Sequence, residues 1–453
     1  MITIYHQLVV RALVFGLVGM AIIGCQSKRQ ARRECPSPVS QGLNVRDMID
    51  QPTQLEADSL IDTAQLGADA QRLRNNAVDE AKKNRNPNAQ PWREKNILCL
   101  SGGGSFGAFS AGILCGWTAK GTRPTFDVVT GISTGALIAP FAFLGPAYDE
   151  QMKTFYTTLE SKDLYKQKLL RGLCGEALAD NAKLAQRVDD VLTAQLLKEL
   201  AEEHRKGRRL YVGTTAAESK RFVIWDIGAI ACKGRPQDKL LIKQILLGSS
   251  AIPGFFPPQH ITVDLDGQCL TERHVDGGVS QALFMAPPYV PPEQRSKNAN
   301  HDLAGANVYA IIAGKLYADP QKIKPMALVL AAQEVSAMIY AQTRGDLQRM
   351  FTTTMLTGMN FHMTAIPTEY PAPTSSTAFE IPAMVGMFNE GHKMICEDRV
   401  WRKTAPGTAP GENANYRSGT CLTFQVRGPL SPKSTNSKPF QSLQGIPAVP
   451  EIK

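Results

Sequence analysis

The chain has 453 residues, 43% of them hydrophobic and 20% charged, and carries a formal net charge of +9. That length holds two or three domains, or one large α/β domain with extensions, and the apolar content supplies a sizeable core. The charge is modest for the length and no nucleic-acid-binding pattern accompanies it, so it excludes nucleic acid as a partner and suits solubility or an anionic membrane surface.

Residues 1–24 read as a signal peptide. Arg11 precedes the apolar run ALVFGLVGMAIIG, which is too short to span a bilayer comfortably. The run ends at Ile22-Ile23-Gly24-Cys25, which resembles the lipobox of bacterial lipoproteins. The resemblance implies cleavage before Cys25, lipidation of that cysteine and anchoring in the cell envelope. Gln26 after it points to the outer membrane, and several acyl chains at one terminus hold stably where one would not. An ordinary secretory peptide or an uncleaved anchor are the alternatives. Residues 25–92 read as a tether, polar and proline-bearing at first, with a helical insert over Leu55–Lys83.

Residues 96–144 carry the chemistry. Twice a short apolar run breaks into glycines and continues as a small-residue helix: ILCLSGGGSFGAFSAGILCGW, then FDVVTGISTGALIAPFAFLG. Each reads as strand, tight turn, helix, as parallel α/β units begin. The second turn is G-x-S-x-G, with Gly131 and Gly135 leaving room for a sharp backbone at Ser133, whose hydroxyl would stand above the strand ends. Gly102, Gly103 and Gly104 in the first turn expose backbone N–H groups that can hold an oxyanion. A phosphate-binding loop is the rival reading of Gly102-x-Gly104-x-x-Gly107, but no G-K-[ST] follows and no acidic ribose partner is evident.

Downstream, QMKTFYTTLESKDLY and AKLAQRVDDVLTAQLLKELAEEHRKG read as helices, the second continuous to Gly207. RRLYVGTT and KRFVIWDIG read as strands, and KLLIKQILLG as a helix. ITVDLDGQCLTERHVDGG reads as a strand closed by Asp276-Gly277-Gly278. That Asp-Gly is either a hairpin turn or a carboxylate held near Ser133 to accept its proton. NVYAIIAGKL is a further core strand, and residues 326–363 read as mostly helical, with Met338, Met350, Met355 and Met359 lining either a core or an acyl groove.

Taken in order, these blocks resemble the patatin-like phospholipase family across roughly residues 96–316. Gly102–Gly104 match its glycine loop, Ser133 in GISTG its nucleophile elbow, and Asp276 in DGG its catalytic aspartate; LYVGTTAAESKRFVIWDIGAIA and SSAIPGFFPP match intervening blocks. The resemblance implies a three-layer α/β/α fold with a mostly parallel central sheet over residues 93–400. It also implies a Ser-Asp dyad without histidine, lipid ester substrates, a membrane surface as partner, and neither cofactor nor metal. One departure stands out: the family's loop usually runs G-G-G-x-[RK]-G, and here Ser105 and Phe106 precede Gly107, so a cation is missing.

Three other readings remain open. An α/β-hydrolase esterase would use the same pentapeptide with a histidine such as His362 or His392, a lipid-binding envelope lipoprotein would have lost turnover, and a related enzyme such as a lysophospholipase or neutral-lipid esterase would act on acyl groups outside phospholipids. His274, two residues before Asp276, reads as structural. Cys99 and Cys115 read as buried free thiols, whereas Cys232–Cys269 and Cys396–Cys421 are possible disulfides in an oxidising compartment. Residues 401–453 form a C-terminal extension whose tail, rich in proline, serine and lysine, reads as disordered.

Overall fold

The computed structural model describes residues 63–87, 94–167, 176–265, 268–319 and 327–408. The segment expected to be a signal peptide, Cys25, most of the expected tether, Cys421 and the tail expected to be disordered lie outside them. Within the described residues no helix is long and apolar enough to cross a membrane.

The helical insert is α1 (Thr63–Lys83). Strand β1 (Asn96–Leu100) then leads through the glycine turn into α2 (Gly107–Ala119), and β2 (Val128–Gly131) leads through the serine turn into α3 (Thr134–Leu144). Next come α4 (Asp149–Thr158), the single turn α5 (Ser161–Leu164), and the small pair β3 (Lys166–Gln167) and β4 (Ala179–Asp180). The long periodic run expected to be one helix is two, α6 (Ala182–Val191) and α7 (Ala194–Arg205). The break has a local cause: Thr193 adopts an extended backbone and its hydroxyl accepts from Leu196 N–H, an N-cap inside the apolar periodicity.

Strands β5 (Arg209–Ala216) and β6 (Arg221–Asp226), helices α8 (Ile227–Ala231) and α9 (Pro236–Ser249), and strands β7 (Gln259–Leu265) and β8 (Gln268–Asp276) follow. The last elements are β9 (Asn307–Ile311), α10 (Ala327–Thr357), β10 (Asn360–Thr364) and α11 (Ile381–Cys396). Residues 360–363, expected to be helical, therefore lie in an edge strand, β10, paired in parallel with β9.

The main sheet runs β10-β9-β1-β2-β5-β8-β7, with β6 on the other side of β5. Strands β10, β9, β1, β2 and β5 are parallel, and β8, β7 and β6 are antiparallel additions. Alternation along each strand separates two cores. Leu98, Leu100 and Val129 point to the side covered by α2, α3, α9 and α11. Ile97, Cys99 and Val128 point to the side covered by α10, through Leu347 and Met350. The fold is thus an α/β/α layering with a mostly parallel sheet.

Helix α11 fits against α2 because both expose glycine at the crossing. A Cβ on Gly112 would come 2.0 Å from Phe388 O, and one on Gly391 would come 2.4 Å from Phe109 O. Gly345 in α10 has open space around it instead. Gly112→Ala should therefore push two backbones apart and cost about 1–3 kcal/mol, lowering the thermal midpoint followed by circular dichroism. Gly345→Ala should raise that midpoint, by about 0.5–1 kcal/mol of helix propensity.

Candidate active site

The geometry of β5 determines what meets at the carboxyl end of the sheet. Tyr211 and Val212 pair with β6 on one edge and with β2 on the other, while Thr214, Thr215 and Ala216 pair with β6 and with β8. A strand has two edges, so β2 and β8 share one of them, running in opposite directions and ending towards each other. Gly131, the last residue of β2, lies across from Val212, and Asp276, the last residue of β8, lies across from Thr214. Ser133 and Asp276 leave their strands at the same gap, beside Gly213.

Ser133 sits at φ 54°, ψ −123°, a backbone conformation that side-chain-bearing residues rarely adopt. Crowding on both sides holds it there. A Cβ on Gly131 would lie 2.4 Å from Gly135 O, and one on Gly135 would lie 2.5 Å from Leu100 O. Its own N–H donates to Ser249 Oγ (2.9 Å), and that hydroxyl donates to Gly213 O (2.7 Å). Helix α3 begins at the next residue and presents its positive end to the serine.

Asp276 is buried and accepts from Gly278 N–H (2.7 Å), and the Ser133 hydroxyl lies near enough to act on its carboxylate. Loss of water is the larger influence: burial pushes its pKa up to about 6, against the Ser133 hydroxyl and the Gly278 N–H, which lower it. The hairpin alternative for Asp276-Gly277 is not realised, since the chain continues into a short 3-10 turn, Gly277–Val279. A Cβ on Gly277 would lie 2.6 Å from Gly213 O, so this glycine is set by the same gap.

In the glycine loop, the Gly102 N–H donates to Ala282 O (3.2 Å). That removes Gly102 from the expected set of oxyanion donors. Ser105 N–H is likewise committed, to Ser376 O (2.8 Å). Gly103 and Gly104 remain, and among the described residues their N–H groups have no acceptor. Both lie at positive φ, 155° and 54°, and both are pressed by backbone: a Cβ would meet Ala313 O at 1.9 Å and Ser376 O at 2.1 Å. The loop is a packed turn, with no open phosphate cradle at these glycines.

An apolar cleft of about 40 Å³ opens at Ser133 and Gly104, between Leu137, Phe155, Phe255 and Phe379. Residues 376–379 form one wall and are tied down by Tyr165 Oη donating to Thr377 O (2.8 Å) and Phe379 N–H donating to Ser161 Oγ (2.8 Å). No histidine lines this cleft. A larger cavity of about 280 Å³ lies at the opposite end of the sheet, around Lys95, Asp127 and Arg208, and shares no residue with it. Size does not mark the reactive groups here.

The remaining candidates fall elsewhere. His362 stacks on Tyr309 (4.9 Å between centroids). It sits on β10, three strand spacings or about 14 Å from β2. His392 lies on α11 beside Phe388 and Cys396. His274 is buried, with Nδ1 2.9 Å from Thr214 Oγ1 and Nε2 3.3 Å from a Glu272 oxygen; burial lowers its pKa, so it is a neutral packing group. Met350 and Met359 are core residues and Met355 packs against them, whereas Met338 is exposed; none lines the cleft. Cys232 and Cys269 are separate free thiols, so that disulfide is not formed, and Cys396 is also free. Cys99 and Cys115 are free as expected, with burial pushing both thiols up to about 12. Sequence reasoning missed Ser249 and the 376–379 wall; Ser249 lies in the SSAIPGFFPP block but carries no local signal of its role.

Comparison with known proteins agrees with this architecture. The family model "Patatin-like phospholipase" matches residues 98–287, a span that contains the glycine loop, Ser133 and Asp276. The chain therefore carries a patatin-like phospholipase domain, the domain of a family of lipid acyl hydrolases. No curated protein matches significantly. Among solved structures, the crystal structure of VipD from Legionella pneumophila aligns over 68% of this chain and 67% of its own, at 12% identity and a TM-score of 0.32. At that score the likeness carries no argument.

The raised pKa of Asp276 has a consequence for stability. An acid whose folded pKa exceeds its unfolded value loses stability as pH rises, here from 3.8 through about 6, and the whole loss is present above that. Asp276→Asn removes the desolvated charge. At pH 7.5 the variant should gain up to about 3 kcal/mol over wild type, read from denaturant midpoints, and the gain should vanish at pH 4.

Proposed function

We propose that this protein hydrolyses carboxylic ester bonds of phospholipids or related lipids with Ser133 as nucleophile and Asp276 as its base. What supports the reading above all is that Ser133 and the buried Asp276 carboxylate leave their strands at one gap, near enough for the hydroxyl to lower the carboxyl pKa, where a lipid-hydrolase domain match and an apolar cleft coincide. Ser133 Oγ attacks the ester carbonyl as its proton passes to Asp276. The oxyanion lies against the N–H groups of Gly103 and Gly104, each such donor contributing on the order of 3 kcal/mol in comparable sites. Protonated Asp276 then gives its proton to the leaving alcohol oxygen. Water attacks the acyl-serine as Asp276 takes its proton, and Asp276 returns that proton to Ser133 Oγ as the acyl–Oγ bond breaks and the fatty acid departs.

The acyl chain would occupy the cleft lined by Leu137, Phe155, Phe255 and Phe379, whose walls must part, since about 40 Å³ holds only a few methylenes. Phe106 in place of a cation leaves head-group recognition to other residues. A triad enzyme is disfavoured by the positions of His362 and His392. Lipidation at Cys25 and an outer-membrane address complete the proposal.

Mass spectrometry of fatty acids released from mixed membrane lipids tests it. Ser133→Ala should lose at least about a thousandfold in rate, while His362→Ala and His392→Ala stay within about twofold of wild type. A wild-type protein that releases no fatty acid, and whose Ser133 resists a fluorophosphonate probe while folded, would leave the silent lipid-binding alternative. The base must be ionised to act, so kcat/KM should rise with unit slope up to about pH 6 and then level.

A further inference from the structure

Helix α10 does more than cover one face of the sheet. It precedes the parallel strand β10 and packs on the face shared with β9 and β1, running from the carboxyl rim towards the amino rim. Two hydrogen bonds fix its height. Gln342 Nε2 donates to Gly278 O (3.3 Å), and Ala282 N–H donates to Asp346 Oδ2 (2.7 Å). Residues 342–346 are therefore level with the loop that follows Asp276, and everything before them stands beyond the rim. Val335 is seven residues earlier, about 10 Å further out at 1.5 Å per residue.

The described part of that overshoot, 334–339, is exposed and carries an apolar stripe beside Glu334 and Ser336. Val335, Met338 and Ile339, spaced as one helical face, are 56%, 69% and 53% exposed, and Val279, next to the Asp276 turn, is 50% exposed. A second projection stands at the same end. Strand β8 descends towards Asp276 from outside the sheet, so exposed Leu270, six residues ahead, lies about 20 Å beyond the carboxylate along the hairpin.

We infer that the α10 stripe Val335, Met338 and Ile339 is the surface on which this protein seats its catalytic rim in a lipid bilayer. The inference rests on the proposed lipid hydrolysis. What selects a bilayer over a protein is position: a protein seated on the stripe would stand between the rim and its substrate. Apolar side chains inserted there bring the mouth of the cleft to the acyl region, so a chain can move from lipid to Leu137 and Phe255 without being exposed to water.

The test uses the full chain and its Val335→Asn/Met338→Gln/Ile339→Asn variant, with vesicles of phosphatidylcholine and phosphatidylglycerol and with the soluble ester p-nitrophenyl butyrate. Hydrolysis of vesicle lipid should fall by at least about tenfold, and hydrolysis of the soluble ester should stay within about twofold. Equal losses on both substrates, or no loss on vesicles, overturn the inference. So does a variant that turns a wild-type dimer into a monomer by light scattering and leaves vesicle hydrolysis intact, since the stripe is then a contact between copies. A second measurement needs no turnover: Met338→Trp in the Ser133→Ala chain, with emission above the native tryptophan background read against vesicles of brominated lipid. Quenching of that added emission is expected even if the hydrolase proposal fails, and its absence rejects the bilayer seat alone.

Discussion

The structure depends on one edge of one strand. β5 offers β2 its lower half and β8 its upper half, and Gly213 marks the handover. Because the two visitors run in opposite directions, both end at the gap, and each ends in a turn that must fit against the other. This explains why glycines gather there from distant parts of the chain. Gly131 and Gly135 admit the strained serine, Gly277 passes Gly213 O, and Ser249 ties the Ser133 N–H to that same carbonyl. The serine and the aspartate do not find each other through side-chain reach alone. Backbone pairing fixes their separation before any side chain is placed.

The same enclosure sets the electrostatics. A carboxylate taken out of water in this way is a stronger base than one at the surface, and the hydroxyl beside it is the proton donor it faces. In the proposed mechanism a histidine relay is not needed to obtain a base with a pKa near neutrality, because desolvation supplies one. The buried charge weighs on stability at the pH where it would be useful. A short serine bridge, a capped turn and two crowded glycines hold it in spite of that.

How much of this could be read from the sequence follows from how local each feature is. The two glycine breaks, the small-residue helices after them and the Asp-Gly-Gly turn are each set within five or six residues, and strand-turn-helix patterning places them correctly. The shared edge of β5 is invisible there, because pairing between residues 60 to 80 apart leaves no local mark. Gly102 shows the same limit: as a residue it looks like its neighbours, and only the approach of Ala282 commits its N–H. Thr193 broke an apparently continuous helix because a single capping hydroxyl outweighed good periodicity on both sides. Residues 360–363 looked helical by continuity with α10, but an unfilled parallel edge of β9 pairs them as a strand. Helix α11 escaped notice since its fit depends on glycines in another helix.

Substrate access joins these pieces. The cleft at Ser133 is too narrow for an acyl chain while Phe379 and Thr377 are tied to Ser161 and Tyr165. Those ties are a few hydrogen bonds of a partly exposed wall, each contributing on the order of 1 kcal/mol. The apolar side chains that would line an opened cleft gain little from exposure to water, so in solution the closed form is favoured. Against the hydrocarbon of the proposed bilayer seat the balance would shift towards opening, because the uncovered phenylalanines would meet acyl chains instead of water. A rim that overshoots the sheet in apolar residues is therefore where opening becomes cheapest, and the lipid that favours opening is the molecule the serine would receive.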